Sequence, residues 1–407
     1  MSAIKTHCIL SLLILACAFA CSDDAQDPQA DAAVTPADAA AMADAAPTPD
    51  AQDTSPGNID ATFSIAVPGA PIHMVVGQQG IVVSADTIQR FGYDGVLDAN
   101  FMVENSQYDE MEPYGGERVM STRNEALSVR LEDWTPDPSF GTSGVVSLQV
   151  PHPLITDGST YYSENFTGND DIFAVGNARY TTLQNGQFWI AKFDATGTRV
   201  PSFGTDGVLV LGVPEGLPTG WVGASDIAMA PDGTLLLSVV IEDFSVFVRM
   251  QPDGTLMSNF GVGGILERNI GDFETGMRID DAGRILVARV RGGPPAVQRL
   301  LADGMLDNSF GNASFAETGA GSRVQHVFLV DGRIIAVGTS AGGYTYVTEI
   351  DDNGAINPSF GDGGTVSLTD YILGDAAIDR DGHLLLFGCT DIGTFFCNTS
   401  EVWRIFL

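Results

Sequence analysis

Six basic residues recur at one place in a repeated pattern: Arg90, Arg130, Lys192, Arg249, Arg299 and Arg404, each followed by an apolar residue. Glu349 takes the seventh place. A ring of such cations would offer charge-assisted donors to an anionic ligand. The same spacing fits a structural pair, each cation set against an outer-strand aspartate such as Asp98, Asp137 or Asp307. Recurrence in nearly every unit favours the structural pair, because a binding site needs asymmetry.

Other residues suggest chemistry on weaker grounds. Asp351-Asp352-Asn353-Gly354 and Asp379-Arg380-Asp381-Gly382 invite a calcium reading. A calcium loop needs several converging oxygens, and an EF-hand adds a distal glutamate. Here the chain runs straight into apolar residues, so hairpin turns account for both stretches. No cofactor is expected, calcium being the one candidate. Gly338-Thr339-Ser340-Ala341-Gly342 spells the G-x-S-x-G of serine hydrolases. That motif has meaning between a strand and a helix, and no helical period follows here. His73, His152, His326 and His383 show no metal-ligand spacing on one element and read as ordinary strand and loop residues. No catalytic residue and no metal set is assigned. Tyr114, Tyr161, Tyr162, Phe166 and Trp221 fall in connections of variable length. They are candidate ligand contacts, the alternative being caps on apolar strand ends.

These residues are positioned by one recurring unit: an Asp-Gly turn, a short strand, then a Phe-Gly stop. DGTLMSNFG (Asp253 to Gly261), DGMLDNSFG (Asp303 to Gly311) and NGAINPSFG (Asn353 to Gly361) are its clearest copies. The stop phenylalanines are Phe63, Phe101, Phe140, Phe203, Phe260, Phe310 and Phe360, which makes seven units. Each unit reads as four short strands with tight turns. The second strand is apolar throughout, as in TLLLS (Thr234 to Ser238) and HLLLF (His383 to Phe387). Such a strand must be covered on both faces. A single four-stranded sheet cannot do that alone, whereas sheets arranged radially cover one another. The expected fold is all-β: a seven-bladed β-propeller of four-stranded antiparallel blades. The last unit ends at its third strand, EVWRIFL, and residues 58–67 match a fourth strand. Pairing of about 58–67 with about 400–407 is expected to close the ring.

The DG-x-L-D-x-S-F-G pattern resembles the delta-60 repeat of bacterial surface and secreted proteins. The resemblance covers nearly all of 58–407. It implies a propeller and names no reaction.

Residues 1–21 read as one lysine, an apolar stretch and a cysteine. The stretch is too short to span a bilayer and fits a secretory signal. It resembles a bacterial lipoprotein signal, with Cys21 as the lipid site and Cys17 as the alternative; plain secretion without lipid is a further alternative. Residues 22–57 hold eight Asp and no Lys or Arg, with no aromatic residue. Such a segment cannot bury enough apolar surface to order itself and reads as a disordered acidic tether. Cys389 and Cys397 would then meet an oxidising compartment and are expected to form a disulfide, two free buried thiols being the alternative. The formal charge of −33 argues against a nucleic-acid partner. The expectation is an outer-membrane or surface lipoprotein, anchored to a lipid bilayer, whose propeller binds or scaffolds an unidentified protein or saccharide. The alternative is an extracytoplasmic propeller enzyme, a metal-dependent hydrolase or saccharide lyase. That alternative needs carboxylates and histidines gathered around the central channel, and the sequence displays no such cluster.

Overall fold

The computed structural model describes residues 53–104, 110–115, 118–123, 126–149, 160–167, 171–178, 187–217, 222–241, 244–268, 276–289, 294–319, 321, 323–340, 342–390 and 397–407. The leader, Cys17, Cys21 and nearly all of the tether lie outside them. No helix among the described residues is long and apolar enough to cross a membrane.

The described strands form seven four-stranded antiparallel sheets. They are the blades of a propeller. Blade 1 runs from an inner strand His73–Val76 out to Leu97–Glu104, and blade 2 from Glu110–Tyr114 out to Val145–Ser147. Blades 3, 4, 5 and 6 begin with Thr160–Thr167, Val222–Met229, Met277–Ile279 and Arg323–Val330. Blade 7 runs from Ile372–Ile378 through Leu384–Cys389 and Thr399–Ile405 to Ile59–Pro68. The expected closure is therefore present. Ile59 pairs with Ile405 and Pro68 with Thr399, antiparallel.

Blade stacking explains the apolar second strands. Every residue of Leu235–Ile241 is buried. Side chains alternate across a strand, so its residues serve two interfaces. Leu235, Leu237 and Val239 pack with Phe173 and Phe203 of blade 3, while Leu236 packs with Met277 and Ile285 of blade 5. Each adjacent pair of blades shares one such apolar cluster, seven among the described residues. The cluster between blades 7 and 1 takes Phe63, Ile65 and Val67 from the N-terminal strand and Met74, Ile81 and Val83 from blade 1.

The repeated motif fastens neighbouring blades. The stop phenylalanines are all buried. At three stops the following glycine donates its N–H to the turn of the next blade: Gly141 to Thr196 O at 2.6 Å, Gly261 to Asp303 O at 3.0 Å and Gly311 to Asn353 O at 2.7 Å. The turn glycine must itself be small. A Cβ on Gly304, at φ +86°, would lie 3.0 Å from the ring of Phe260 in the preceding blade. A disulfide joins Cys389 to Cys397, with Cα atoms 5.8 Å apart, at the end of the blade-7 second strand.

Deleting residues 58–68 should unfold the whole body in one transition rather than fray one strand. Phe63, Ile65 and Val67 are at most 3% exposed, and their burial is worth roughly 5–9 kcal/mol together, comparable with the whole stability of a typical domain. A thermal melt of the truncated body coincident with that of the intact one would contradict ring closure.

Candidate functional site

The inner strands surround a cavity of about 440 Å³ at the propeller axis. Cross-strand register shows why particular side chains meet there. His73 pairs with Ser84, Met111 with Ser121, Asp226 with Ser238, His326 with Val337 and Asp375 with Phe387. These partners hold equivalent places in their second strands, so the five residues stand at one level around the axis. Gly276 takes that place in blade 5, accepting the Ala288 N–H through its carbonyl at 3.2 Å. The inner strands of blades 4, 6 and 7 each carry a register shift one residue before this level. Bulges of this kind re-aim side chains.

Among the described residues, six ionisable side chains line the cavity: His73, Glu112, Asp226, Arg278, His326 and Asp375. They are distributed unevenly. Blades 6, 7 and 1 supply His326, Asp375 and His73 in succession. Arg278 comes from blade 5 and Glu112 from blade 2. His73 Nδ1 lies 3.6 Å from Asp375 Oδ2. The same Asp375 oxygen accepts the Met74 N–H at 2.7 Å, and Oδ1 accepts the Ala376 N–H at 2.7 Å. Asp226 does the equivalent between blades 4 and 5, accepting the Met277 N–H at 2.8 Å. Arg278 donates to Met277 O at 2.8 Å and lies 5.8 Å from the Phe328 ring centre, and the His326 ring stacks on the same phenylalanine. Thr339 donates its hydroxyl to Gln325 Oε1.

The electrostatics separate these acids. Burial raises Glu112, pushing it up to about 7 against the opposing charges of Arg278 and His73, with Asp375 and Asp226 adding to the rise. Its side chain is exposed on the channel side, where the surrounding walls leave bulk solvation incomplete. Burial likewise raises Asp226, opposed by Arg278 and the Met277 N–H. Burial also acts to raise Asp375, but the hydrogen bond from His73 and the charges of His326 and His73 outweigh it and hold its carboxyl below the usual range. Burial pushes His326 down. The result is one ionised carboxylate beside a histidine, and two acids that retain protons longer than usual.

The basic column, the Asp-Gly turns and Tyr114 lie elsewhere. The basic column stands between blades. Arg90 donates to Glu132 O, Arg249 to Ala302 O, Arg299 to Asp352 O and Arg404 to Tyr93 O, each at 2.6 Å in the next blade. Lys192 reaches Pro252 O at 3.1 Å. Within their own blades Arg90 pairs with Asp98 at 2.6 Å and Arg299 with Asp307 at 2.7 Å. Arg90, Arg299 and Arg404 also lie over the stop rings Phe101, Phe310 and Phe63. Asp137 pairs with Arg118 at 3.2 Å, and Arg130 donates to Trp134 O at 3.1 Å. Glu349 takes Arg333 at 3.1 Å. None of these residues lines the channel cavity.

Tyr114 is 2% exposed, at the end of an inner strand, inside the cluster between blades 2 and 3. Its position differs from that of a loop contact because its ring fills the blade interface. Tyr161, Tyr162 and Phe166 belong to the inner strand Thr160–Thr167; their side chains, with Trp221 and His152, lie outside the described residues. Asp351 Oδ1 accepts the N–H groups of Asn353 and Ala355, both at 2.8 Å. Asp379 Oδ1 accepts those of Asp381 and His383, both at 2.9 Å. Among the described residues, Asp379, Asp381 and His383 have ligand atoms within 4.8 Å of one another; Arg404 Nε already lies 3.2 Å from Asp379 Oδ2. Gly338 and Thr339 end one strand and the next begins at Thr345, while Ala341 lies outside the described residues.

His73 and His326 are the correction to the sequence reading: both are channel residues, and with Asp375, Asp226 and Glu112 they form the cluster that had seemed missing. Aligning first strands through the apolar second strands would have revealed the level. The intervening turns differ in length by one or two residues, which hides it from fixed spacing.

Fold and site together define a seven-bladed β-propeller with an asymmetric polar pocket on its axis. No protein-family model matches the chain, and no curated protein matches it by sequence. Among solved structures it is similar to a streptogramin B lyase, 12% identical over 86% of this chain and 97% of that one, with a TM-score of 0.52. It is also similar to virginiamycin B lyase from Staphylococcus aureus, 11% identical over 86% of this chain and 100% of that one, with a TM-score of 0.51. At such identities the likeness is one of fold.

Two outcomes follow from the geometry. Arg299 is 3% exposed, so Arg299→Met should leave Asp307 uncompensated and cost about 3 kcal/mol in urea unfolding, where an exposed ion pair would cost under about 1 kcal/mol. Glu112 keeps its proton to about pH 7 in the folded chain against an ordinary value of 4.5. Between those limits the folded protein binds a proton that the unfolded chain has lost, so stability contributed by this site falls as pH rises. Glu112→Gln should flatten the melting temperature across that window relative to the parent.

Proposed function

We propose that this protein is a ligand-binding β-propeller of the bacterial cell envelope, and that its axial channel takes a small polar molecule. The observation that carries the reading is the convergence of His73, Glu112, Asp226, Arg278, His326 and Asp375 on one cavity of about 440 Å³. Concave sites with a few convergent polar groups and perturbed acids are the usual places for binding. The uneven distribution of charge is what a repeated structural device would lack. Hydroxyl-rich ligands suit the mixture of donors and acceptors, so a saccharide is the favoured class. The body is of the delta-60 repeat type. It is held to a lipid bilayer through Cys21, or Cys17, by the acidic tether of residues 22–57.

A second reading, an extracytoplasmic enzyme, is favoured by the His73–Asp375 pair beside the protonated Glu112. The two similar folds named above are both lyases by name, which is consistent with chemistry on such a frame.

An oligosaccharide array probed with the labelled body tests the binding reading. Ala377 lines the cavity, and Ala377→Trp should fill it and weaken binding at least about tenfold, some 1.4 kcal/mol. A variant that melts like the parent and still binds equally would place the site off the axis.

A further inference from the structure

We infer that the channel is an acid–base centre for β-elimination on 4-linked uronic-acid oligosaccharides, with His73 as base, Asp375 positioning it, Arg278 on the sugar carboxylate and Glu112 as acid. The inference rests on the channel being the binding site and adds the substrate class and the reaction.

Asp375 is fixed before any ligand arrives. Both of its oxygens accept backbone N–H groups at 2.7 Å, one of them from the neighbouring blade. It stands 3.6 Å from His73 Nδ1. A carboxylate at Nδ1 sets the tautomer that leaves Nε2 as the base, and stabilises the imidazolium formed when a proton is taken. Arg278 has the planar fork that matches a carboxylate. It lines the same cavity, and one of its nitrogens is anchored on Met277 O at 2.8 Å. Pairing a uronate with a guanidinium withdraws charge from the carboxylate, which acidifies the adjacent C–H. Glu112 lies on the blade next to His73 and feels the charge of His73, Arg278, Asp226 and Asp375. Asp226, His326 and Gln325 complete the wall and suit the hydroxyls of a sugar ring. Burial raises both Glu112, to about 7, and Asp226, which lessens the repulsion that an anionic ring meets in the cavity.

The step balances within these groups. His73 takes the proton from carbon 5 of the uronate. The electron pair of that C–H bond becomes the double bond between carbons 4 and 5. The bond from carbon 4 to the glycosidic oxygen breaks, its pair remains on the oxygen, and that oxygen takes the proton of Glu112. The products are an unsaturated uronate and a shortened saccharide. No water or oxidant is consumed, and solvent returns the proton from His73 to Glu112.

The test uses the full chain with three probes: polygalacturonate, alginate and chondroitin-type oligosaccharides. Ultraviolet absorbance reports the new conjugated double bond, and mass spectrometry reports whether product masses sum to the substrate mass. The expected result is absorbance with at least one probe and no gain of water. His73→Gln should then lower kcat by about 10²–10⁴-fold with little change in KM. Arg278→Lys should act mainly on KM. Glu112→Gln should lower kcat and remove the basic limb of the pH profile, and Asp375→Asn should alter the acidic limb. Absence of absorbance with all three probes, products that have gained water, or an unchanged kcat in a folded His73→Gln variant would each overturn the inference. Calorimetry on the same probes separates the two readings. Binding abolished by Ala377→Trp without elimination would leave the channel as a binding site and end the catalytic assignment. Binding indifferent to Ala377→Trp would end both.

Discussion

The fastening of one blade to the next is the constraint on which the rest of this structure depends. It has an apolar part and a polar part. The apolar part is a shared cluster between each pair of blades, fed by second strands buried on both faces. The polar part is the contact between a Phe-Gly stop and the following turn. Gly311 and Arg299 both donate to that turn, to Asn353 O at 2.7 Å and Asp352 O at 2.6 Å. A guanidinium buried to 3% exposure needs such partners, because desolvating a charge without them costs several kcal/mol. The outer-strand carboxylate of Asp307 and the ring of Phe310 complete its surroundings. An open array of such blades would leave one greasy face and one set of donors unmet. The N-terminal strand removes both defects by entering blade 7.

A ring fastened at its periphery gives the axis a rigid frame on which asymmetry can be written. Six of the seven blades place a residue with described surroundings at one level of the channel, and that level holds His73, Met111, Asp226, Gly276, His326 and Asp375 in turn. The frame also makes one carboxylate unlike another. Asp226 and Asp375 perform the same backbone contact, each accepting an N–H from the next blade. Burial acts on both in the same direction. Asp375 nevertheless ends below its ordinary range because two histidines face it, whereas Asp226 ends above its own. Chemistry at the axis is thus set by what neighbouring blades contribute and not by any one blade.

The basic column shows why repetition is a guide to structure more than to function. Arg90, Arg249, Arg299 and Arg404 each reach a carbonyl in the next blade at 2.6 Å. A residue required at every interface recurs at every interface, and so it is conspicuous in the chain. A residue required in one or two blades only, such as Glu112 or His73, has too few copies to mark it. Tyr114 makes the converse point. An aromatic residue near a variable connection suggests a loop, but its ring was needed between blades 2 and 3.

Local residue order determined the strands, the tight Asp-Gly turns, the sevenfold count and the closing of the ring by residues from both ends. Those features depend on alternation, turn chemistry and apolar runs, which are properties of adjacent residues. The cysteine pair was legible for the same reason, since Cys389 and Cys397 flank one loop. The axial pocket was decided only by the tertiary structure. Its groups lie as far apart in the chain as His73 and Asp375, and they meet because radial stacking brings every inner strand to one axis. Turn lengths that differ by one or two residues, and bulges ahead of Asp226, His326 and Asp375, erased the fixed spacing that would have announced them. Their ionisation depends on burial and on facing charges, which no linear order contains.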